Sequence, residues 1–564
     1  MPKIGNFGKY LTERFVWIIR DWIPTWCRYD IGVGVILRDR ALSLVSIMYY
    51  KFGVHPHSKM KRFFEILPGA LAWGTIALIF IASIFFPVGA AIFIILFDIY
   101  WLLKTVYFAT HLIAGYIEMK KAMSRSWLYE AKKLPARDGR SIDNIYHLVI
   151  FPMYKESYSV VKENLESLAK TNYPLDKMIV VLSGEERAGD ESNETVWRIK
   201  EEFGSRFHGF FATLHPKDLP GEIPGKGSNE TWAAKQVKEE VIDKEGIPYE
   251  NIIVSTFDVD TQVFPEYFGR LTHAFLTAEY PDRSSYQPIA FFTNNIYDAN
   301  VFSRIVAFST TFWNIMNQVR PEQLITFSSH SMPFKALVEI GFWTTNHVSE
   351  DSLIFWQCFL HYNGDWRVVP LNYPVSMDAN VAPTFGQTMK NIYKQQRRWA
   401  WGCENIPFVF DGFIKNKKIP LSQRLYWGWQ HIDVYWGWAT NTLVILLLGR
   451  MPLLLGGEKF NASVLSYSLP QLTGFLMNLA AIGVLCSAIL SVILLPPKPK
   501  WFKPKHYVIY LLQWALVPIN LLLFTTIAGI ESQTRMMLGG KFKLGFWVTP
   551  KARKGEKMAE SERE

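Results

Sequence analysis

The sequence predicts an α/β domain, built on a mainly parallel sheet, inserted between transmembrane α-helices. Three observations carry that reading. Apolar stretches bracket a polar middle, at 66–103 before it and at 432–455, 470–496 and 507–530 after it. Between about 141 and 400, short β-branched runs alternate with charged stretches of helical spacing, the pattern of strands joined by crossover helices. Composition points the same way. Hydrophobic residues make up 49%, aromatics 15% with 21 Trp, and charged residues only 20%. That is too apolar for a purely soluble domain and too charged for a bare membrane bundle.

The first apolar stretch, Ile66 to Leu103, holds one charge, Asp98, and Pro87-Val88-Gly89 interrupts it. A bilayer core needs about 20 apolar residues per helix, so 66–117 reads as a helical hairpin. Residues 1–65 are too charged for a cleavable signal and read as a segment with amphipathic helices. Lys59, Lys61 and Arg62 precede the hairpin, Lys120, Lys121 and Arg125 follow it, and its turn is uncharged. The positive-inside rule then sets both flanks, and the domain after them, on the cytoplasmic side of a plasma (inner) membrane. The net charge of +10 gathers beside apolar segments, which makes membrane lipid the expected partner and not nucleic acid. Four scattered cysteines (Cys27, Cys358, Cys403, Cys486) give neither a disulfide framework nor a zinc site.

Within 141–400, His147–Phe151, Met178–Leu182 and Ile252–Phe257 read as strands, while 158–168, 197–203 and 230–241 read as helices. Ligands of such sheets bind at the carboxyl ends of the strands, where Pro152-Met153-Tyr154-Lys155-Glu156 and Asp258-Val259-Asp260 both fall. Residues 401–431 read as interfacial helices, 432–535 as C-terminal membrane helices, and 536–564 as a cytoplasmic tail whose end, from about Ala552, is polar and disordered. Lys498, Lys500, Lys503 and Lys505 keep the 497–506 connection cytoplasmic. A fifth crossing would then strand the basic tail outside. Pro518 offers a way round, because proline breaks or kinks a helix; the expectation is a broken, partly re-entrant hairpin that returns to the cytoplasm.

Several elements carry chemistry. Two carboxylates at i and i+2 after a buried strand, Asp258 and Asp260, suit a hard divalent cation that shares its shell with substrate phosphates, although a solvated turn has the same pattern. Gly225-Lys226-Gly227-Ser228-Asn229 opens a helix; its glycines admit a close ligand and Lys226 can reach a phosphate, or it is an ordinary glycine-rich cap. Glu350-Asp351 after Ser349 can serve as catalytic acids or only satisfy a helix dipole. Gln395-Gln396-Arg397-Arg398-Trp399 joins a guanidinium fork suited to phosphate oxygens to an indole able to stack on a sugar, or else lies on a membrane surface.

Taken in order, these motifs resemble membrane-integrated family-2 glycosyltransferases, the cellulose, hyaluronan and chitin synthase-like enzymes. The ordered set runs from Phe151-Pro152-Met153-Tyr154-Lys155-Glu156 through Gly225-Lys226-Gly227, Asp258-x-Asp260 and Glu350-Asp351 to Gln395-x-x-Arg398-Trp399. Phe546-Trp547-Val548-Thr549-Pro550-Lys551 is similar to the Phe-x-Val-Thr-x-Lys segment of the cellulose synthase-like members. The resemblance spans roughly 60–551. It implies a GT-A-like nucleotide-sugar transferase domain that moves a sugar, with inversion, from a donor (a UDP-sugar by expectation) to a growing glycan.

Residue roles follow from the resemblance. Pro152, Tyr154 and Glu156 would border the nucleoside and Lys226 the diphosphate. Asp258 and Asp260 would hold Mg²⁺ or Mn²⁺, and Asp351, with Glu350 beside it, would be the general base. Gln395 and Arg398 would stabilise the leaving diphosphate, and Trp399 would lie under the acceptor. One departure stands out: the second strand ends Leu182-Ser183-Gly184-Glu185-Glu186, where family members place Asp-Asp-Gly-Ser, so Glu185 would have to face the base. A processive polysaccharide synthase is the first reading. A single-addition transferase acting on a lipid-linked acceptor is the alternative, and a membrane scaffold or transporter with a dead transferase domain is a remote one. A homo-oligomer or an accessory secretion subunit is a further partner the sequence allows.

Overall fold

The computed structural model describes residues 56–550, so the expectations for 1–55 and for the end of the tail lie outside the described residues. The chain divides into two units, Met1–Arg62 and Phe63–Glu564; the second carries the features below.

Its centre is one eight-stranded sheet: β1 Tyr146–Pro152, β2 Met178–Glu185, β3 Gly209–His215, β4 Ile252–Thr256, β5 Gln262–Val263, β6 Ser284–Phe292, β7 His330–Pro333 and β8 Arg367–Met377. Their order is β3-β2-β1-β4-β7-β6-β8-β5. The first four pair in parallel, β6 also pairs parallel with β8, and β7 runs antiparallel between β4 and β6. Strand period sorts the side chains of β1: Val149 and Phe151 enter one core, while Leu148 and Ile150 enter the other. Both faces are covered, which explains why β1, β2 and β4 read as continuous apolar runs and not as alternating ones.

Nine helices position the site and its support: α1 Pro56–Phe85, α2 Pro87–Met123, α3 Lys226–Val237, α4 Val301–Gln318, α5 Glu350–His361, α6 Phe385–Ala400, α7 Leu421–Leu443, α8 Val464–Ile493 and α9 Pro504–Leu538. Pro87 occupies the first turn of α2, where its missing N–H costs nothing, and so divides the hairpin. At 37 residues, α2 is about 55 Å long and outruns a bilayer core of about 30 Å. Its last turns dock on the domain: Leu112 and Met119 are buried beside Phe308 and Ile315. A Cβ at Gly115 would stand 2.3 Å from the Ile315 carbonyl oxygen, so this crossing requires glycine.

One expectation changes. The hairpin's first helix starts ahead of the apolar stretch, at Pro56. Among the described residues four helices are long and apolar enough to cross a membrane: Met60–Phe85, Pro87–Met123, Val464–Ile493 and Pro504–Leu538. The 432–455 stretch is the end of α7, continued by Val444–Leu448 and then by the short helix Met451–Leu455; Val444 and Leu448 are buried in one cluster with Ile79, Ala91, Ile94 and Leu469 of α1, α2 and α8. Pro518 does not make a hairpin turn. It stands in the first turn of Val517–Asn520, directly after the tighter helical turn Gln513–Leu516. There the hydrogen bond that proline lacks is not demanded, and the helical run carries through.

Candidate active site

Two loops and two helix starts converge at the carboxyl ends of β1, β2 and β4. The turn after β4 carries Asp258 and Asp260. Lys226 opens α3 after Gly225, and Glu350-Asp351 opens α5 after Ser349. From the far side α6 brings Gln395, Arg398 and Trp399. All twelve residues singled out from sequence line one cleft: Pro152, Tyr154, Glu156, Glu185, Lys226, Asp258, Asp260, Glu350, Asp351, Gln395, Arg398 and Trp399.

Charge organises its floor. Lys226 Nζ lies 2.7 Å from Asp258 Oδ1 and 3.6 Å from Glu230 Oε1, one turn further along α3. Burial alone would depress the ammonium, but Asp258, Glu230, Glu350 and Asp351 more than reverse that and hold it above the usual lysine range. Glu230, fully buried, accepts a hydrogen bond from Thr256; burial, opposed by Lys226, lifts its carboxyl to about 7. Glu350 is raised well above an ordinary carboxyl, first by burial and then by neighbouring Asp351. His330 is pushed down to about 4 by burial and by Lys226, which leaves it neutral at pH 7.

Ser328 was not foreseen, and it ties the acids together. Its hydroxyl donates to Asp258 Oδ2 at 2.9 Å and its N–H to Asp351 Oδ2 at 3.1 Å. Its φ of 44° places it in the left-handed region, a strain of order 1 kcal/mol that the surrounding structure holds. No periodicity in Phe327-Ser328-Ser329-His330 marks this turn, so sequence patterning had no purchase on it. Asp351 also accepts from Ser352 N–H at 2.8 Å, and Asp260 Oδ2 from the Asp378 N–H at 2.9 Å. Glu404 anchors the acid loop: its Oε1 accepts from the N–H groups of Val348 and Ser349 at 2.8 and 2.7 Å.

The donor set suits a hard cation. Asp258 and Asp260 present carboxylate oxygens to the same cleft. Among the described residues no group of three His, Cys, Asp or Glu is placed to hold a metal unaided. Mg²⁺ or Mn²⁺ would therefore be shared between this pair and the oxygens of a bound diphosphate.

The opposite wall is aromatic and basic. The Trp399 ring centre is 6.2 Å from those of Phe292 and Phe327. The two arginines of α6 diverge: Arg398 faces the cleft, while Arg397 turns away to Glu531 at 2.7 Å. The tail returns over this wall, where Phe546, Val548 and Thr549 join the lining and Arg398 stands 5.0 Å from the Phe546 ring centre. At the β1–β2 end, Glu185 is buried and paired to Arg187, whose guanidinium lies 4.2 Å from the Tyr154 ring centre. Burial raises the Glu185 carboxyl and Arg187 opposes the rise. The departure at the end of β2 thus places an acid in the cleft after all, with an arginine that sequence reasoning missed.

Residues 253–526 match the model of the glycosyl transferase family group 2. The chain carries a family-2 glycosyltransferase domain. Over 116 residues the chain is 30% identical to poly-beta-1,6-N-acetyl-D-glucosamine synthases of Staphylococcus aureus strains COL and N315. That alignment covers 20% of the present chain and 24% of each relative, so the chain spans about a quarter of their length in the match. Among solved structures, a mannosyltransferase from Pyrobaculum calidifontis, in complex with GDP-Man and Mn²⁺, aligns with a TM-score of 0.38 and 16% identity, covering 71% of this chain and 99% of that one. Staphylococcus aureus TarS, in complex with UDP-GlcNAc, aligns with a TM-score of 0.33 and 14% identity, covering 61% of this chain and 90% of that one. The sheet is mixed and mostly parallel, as the sequence predicted.

Proposed function

We propose that this glycosyltransferase is a processive polysaccharide synthase. It would move a sugar with inversion from a nucleotide-sugar donor, a UDP-sugar by preference, to a growing glycan at the membrane. One observation carries the reading: a single cleft joins the Asp258/Asp260 pair, the Asp351 carboxylate and the Gln395-x-x-Arg398-Trp399 helix. A donor needs the first, an acceptor hydroxyl the second, and a departing diphosphate with a held acceptor the third.

Each residue then has a task. Tyr154, Glu156 and Pro152 border the nucleoside, and Glu185 with Arg187 closes the base end. Asp258 and Asp260 hold Mg²⁺ or Mn²⁺, which neutralises charge on the diphosphate when bound. Lys226 turns from Asp258 toward the donor phosphates, and Arg398 and Gln395 meet the charge that builds on the leaving group. Asp351, oriented by the N–H groups of Ser328 and Ser352, takes the acceptor proton. Trp399 supports the acceptor ring. The poly-N-acetylglucosamine synthases named above favour an N-acetylhexosamine donor among the candidates. The basic flanks of the hairpin favour a cytoplasmic cleft.

Membrane fractions incubated with a panel of UDP- and GDP-sugars and Mn²⁺ test the reading by release of nucleoside diphosphate and by product size. The expected result is release with one donor, lost in Asp260→Ala, and a ladder of products. A single addition would replace processive synthesis with the lipid-linked alternative. No release from any donor, with Asp260→Ala indistinguishable from wild type, would remove the enzyme.

A further inference from the structure

Glu404 does not line the cleft, yet its hydrogen bonds end on the support of two of the cleft's walls. It closes a single tight helical turn, Trp401–Glu404, which follows α6 directly and runs on into the helix Asn405–Lys415. One short, continuous stretch of chain therefore carries Arg398 and Trp399 at its start and Glu404 at its end. That stretch is braced from behind. A Cβ at Gly402 would stand 2.4 Å from the Tyr435 hydroxyl of α7, so the turn is packed hard against that helix.

The acid loop lacks such bracing of its own. Ser349 is the residue at the start of α5, but its side chain makes no capping hydrogen bond. The orphan N–H groups of a helix start need an acceptor, and here the acceptor comes from far along the chain. Glu404 Oε1 takes the N–H groups of Val348 at 2.8 Å and Ser349 at 2.7 Å, while Oε2 takes the Trp401 indole N–H at 2.8 Å. Asn405 adds a second tie: its amide donates to Ser352 Oγ at 2.8 Å, and that hydroxyl donates on to the Ser349 carbonyl at 3.2 Å. Ser352 N–H in turn holds Asp351 Oδ1 at 2.8 Å. The residues on either side of Glu350-Asp351 are thus both bound by the segment that follows α6.

All three groups on Glu404 are N–H donors, so the position calls for an acceptor at both oxygens. A carboxylate supplies that, with the added strength of a charged acceptor; burial raises the carboxyl and the N–H groups oppose the rise. Glutamine cannot. Whichever way it turns, its NH₂ group faces either the indole N–H or the two backbone N–H groups. We infer that Glu404 is a positioning residue, tying the loop of Asp351 to the helix of Arg398 and Trp399 so that both sides of the cleft keep one fixed spacing. The inference rests on the roles proposed above for those three residues. A base must stand within about 2.6–3.2 Å of the hydroxyl it deprotonates, and an acceptor resting on Trp399 meets Asp351 only if the two walls are in register. Glu404 acts through the backbone of Val348 and Ser349 and touches no substrate.

Steady-state kinetics on the full-length protein, in the wild-type and Asp351→Asn backgrounds, test it. Glu404→Gln should lower kcat about 10- to 100-fold, the cost of a displacement of about 1 Å in a reacting group, and leave the donor KM within about threefold. In the Asp351→Asn background the same substitution should cost nothing more, because the group it positions is already disabled. Asn405→Ala keeps the carboxylate and cuts only the tie through Ser352; it should lower kcat in the same pattern by a smaller factor. Trp401→Phe removes the indole N–H that the glutamine NH₂ would oppose, so Glu404→Gln with Trp401→Phe should regain the kcat of Trp401→Phe alone to within about threefold. Equal losses from Glu404→Gln in both backgrounds, or a donor KM that rises as far as kcat falls, would overturn the inference and leave a purely structural acid. A slow Asp351→Asn beside a fully active Glu404→Gln would overturn it alone. A fully active Asp351→Asn would remove the proposed base and this inference together.

Discussion

The Lys226 ammonium stands 2.7 Å from Asp258 Oδ1, so an internal cation holds one of the two carboxylates proposed to receive a divalent ion. Lys226 is buried, and Glu230 backs it at 3.6 Å. A lysine between two acids can release one and keep the other. Donor binding would draw it from Asp258 toward phosphate without leaving Glu230 bare.

Lys226→Met should therefore weaken both fold and donor binding. Removing one partner of a buried charge pair costs about 3–5 kcal/mol, and each kcal/mol lowers Tm by about 2–4 °C in a domain near this size. A drop of at least about 6 °C is expected in detergent-solubilised protein. The affinity for nucleotide-sugar should fall about 10- to 100-fold, the worth of a charge-assisted hydrogen bond. Melting curves and donor titrations check both, and unchanged values in the two would refute the role.

Glu230 sets a pH signature. Burial raises its carboxyl from the ordinary 4.5 to about 7, with Lys226 opposing. A folded-state value above the unfolded one means that the folded protein holds the proton more tightly. The resulting stability is complete below the ordinary carboxyl value and is lost as pH rises through about 7. Glu230→Gln cannot titrate, so its Tm should fall less than that of wild type between pH 4.5 and pH 8. Parallel Tm–pH curves for the two proteins would count against this account.

What the sequence revealed of the fold was its parallel half. His147–Phe151, Met178–Leu182 and Ile252–Phe257 are apolar on both faces, because helices cover both, and such runs announce themselves. β6 and β8 were hidden for a physical reason: Ser284, Ser285, Gln287 and Asn372 interrupt them, and their polar atoms are satisfied by partners distant in sequence, such as Trp366 Nε1 on Ser285 and Phe327 N–H on Gln287. In the site, residues with a motif were legible: the Asp pair, the lysine, the acid pair and the α6 helix. Ser328, Glu230, Arg187 and Glu404 work through contacts between segments far apart in the chain, which no local pattern encodes. Pro518 misled because proline is a strong breaker in an isolated helix, whereas here it falls in a first turn.

Asp351→Asn should separate chemistry from binding. Ser328 N–H donates to Oδ2 and Ser352 N–H to Oδ1 of Asp351, so asparagine keeps a carbonyl oxygen for one of the two and gives up a single N–H bond of the loop. The amide cannot accept a proton from an acceptor hydroxyl. Turnover should fall about 10²- to 10⁴-fold, the usual span for loss of a general base, with donor affinity held within about threefold by the bonds that remain. An equal loss of donor affinity would show that Asp351 binds and does not act as the base.

Gly225 and Phe546 make the last prediction, because they are far apart in sequence and share one volume. A Cβ at Gly225 would stand 2.7 Å from the Phe546 ring, closer than carbon atoms tolerate. Gly225→Ala should therefore push the Phe546-Trp547-Val548-Thr549 segment off the cleft. The Phe546 ring would then leave its place by Arg398, 5.0 Å away. Limited proteolysis should cut the displaced tail several-fold faster, and the donor KM should rise. Phe546→Ala empties the same volume and should produce the same opening by itself. The combination decides between a tail effect and a local helix-cap effect. If Gly225 acts through Phe546, the double variant should be no worse than Phe546→Ala alone, a coupling that contacting residues show and distant ones do not. Fully additive losses would mean that alanine at 225 perturbs the start of α3 and the Lys226 it carries, and that the tail is a bystander.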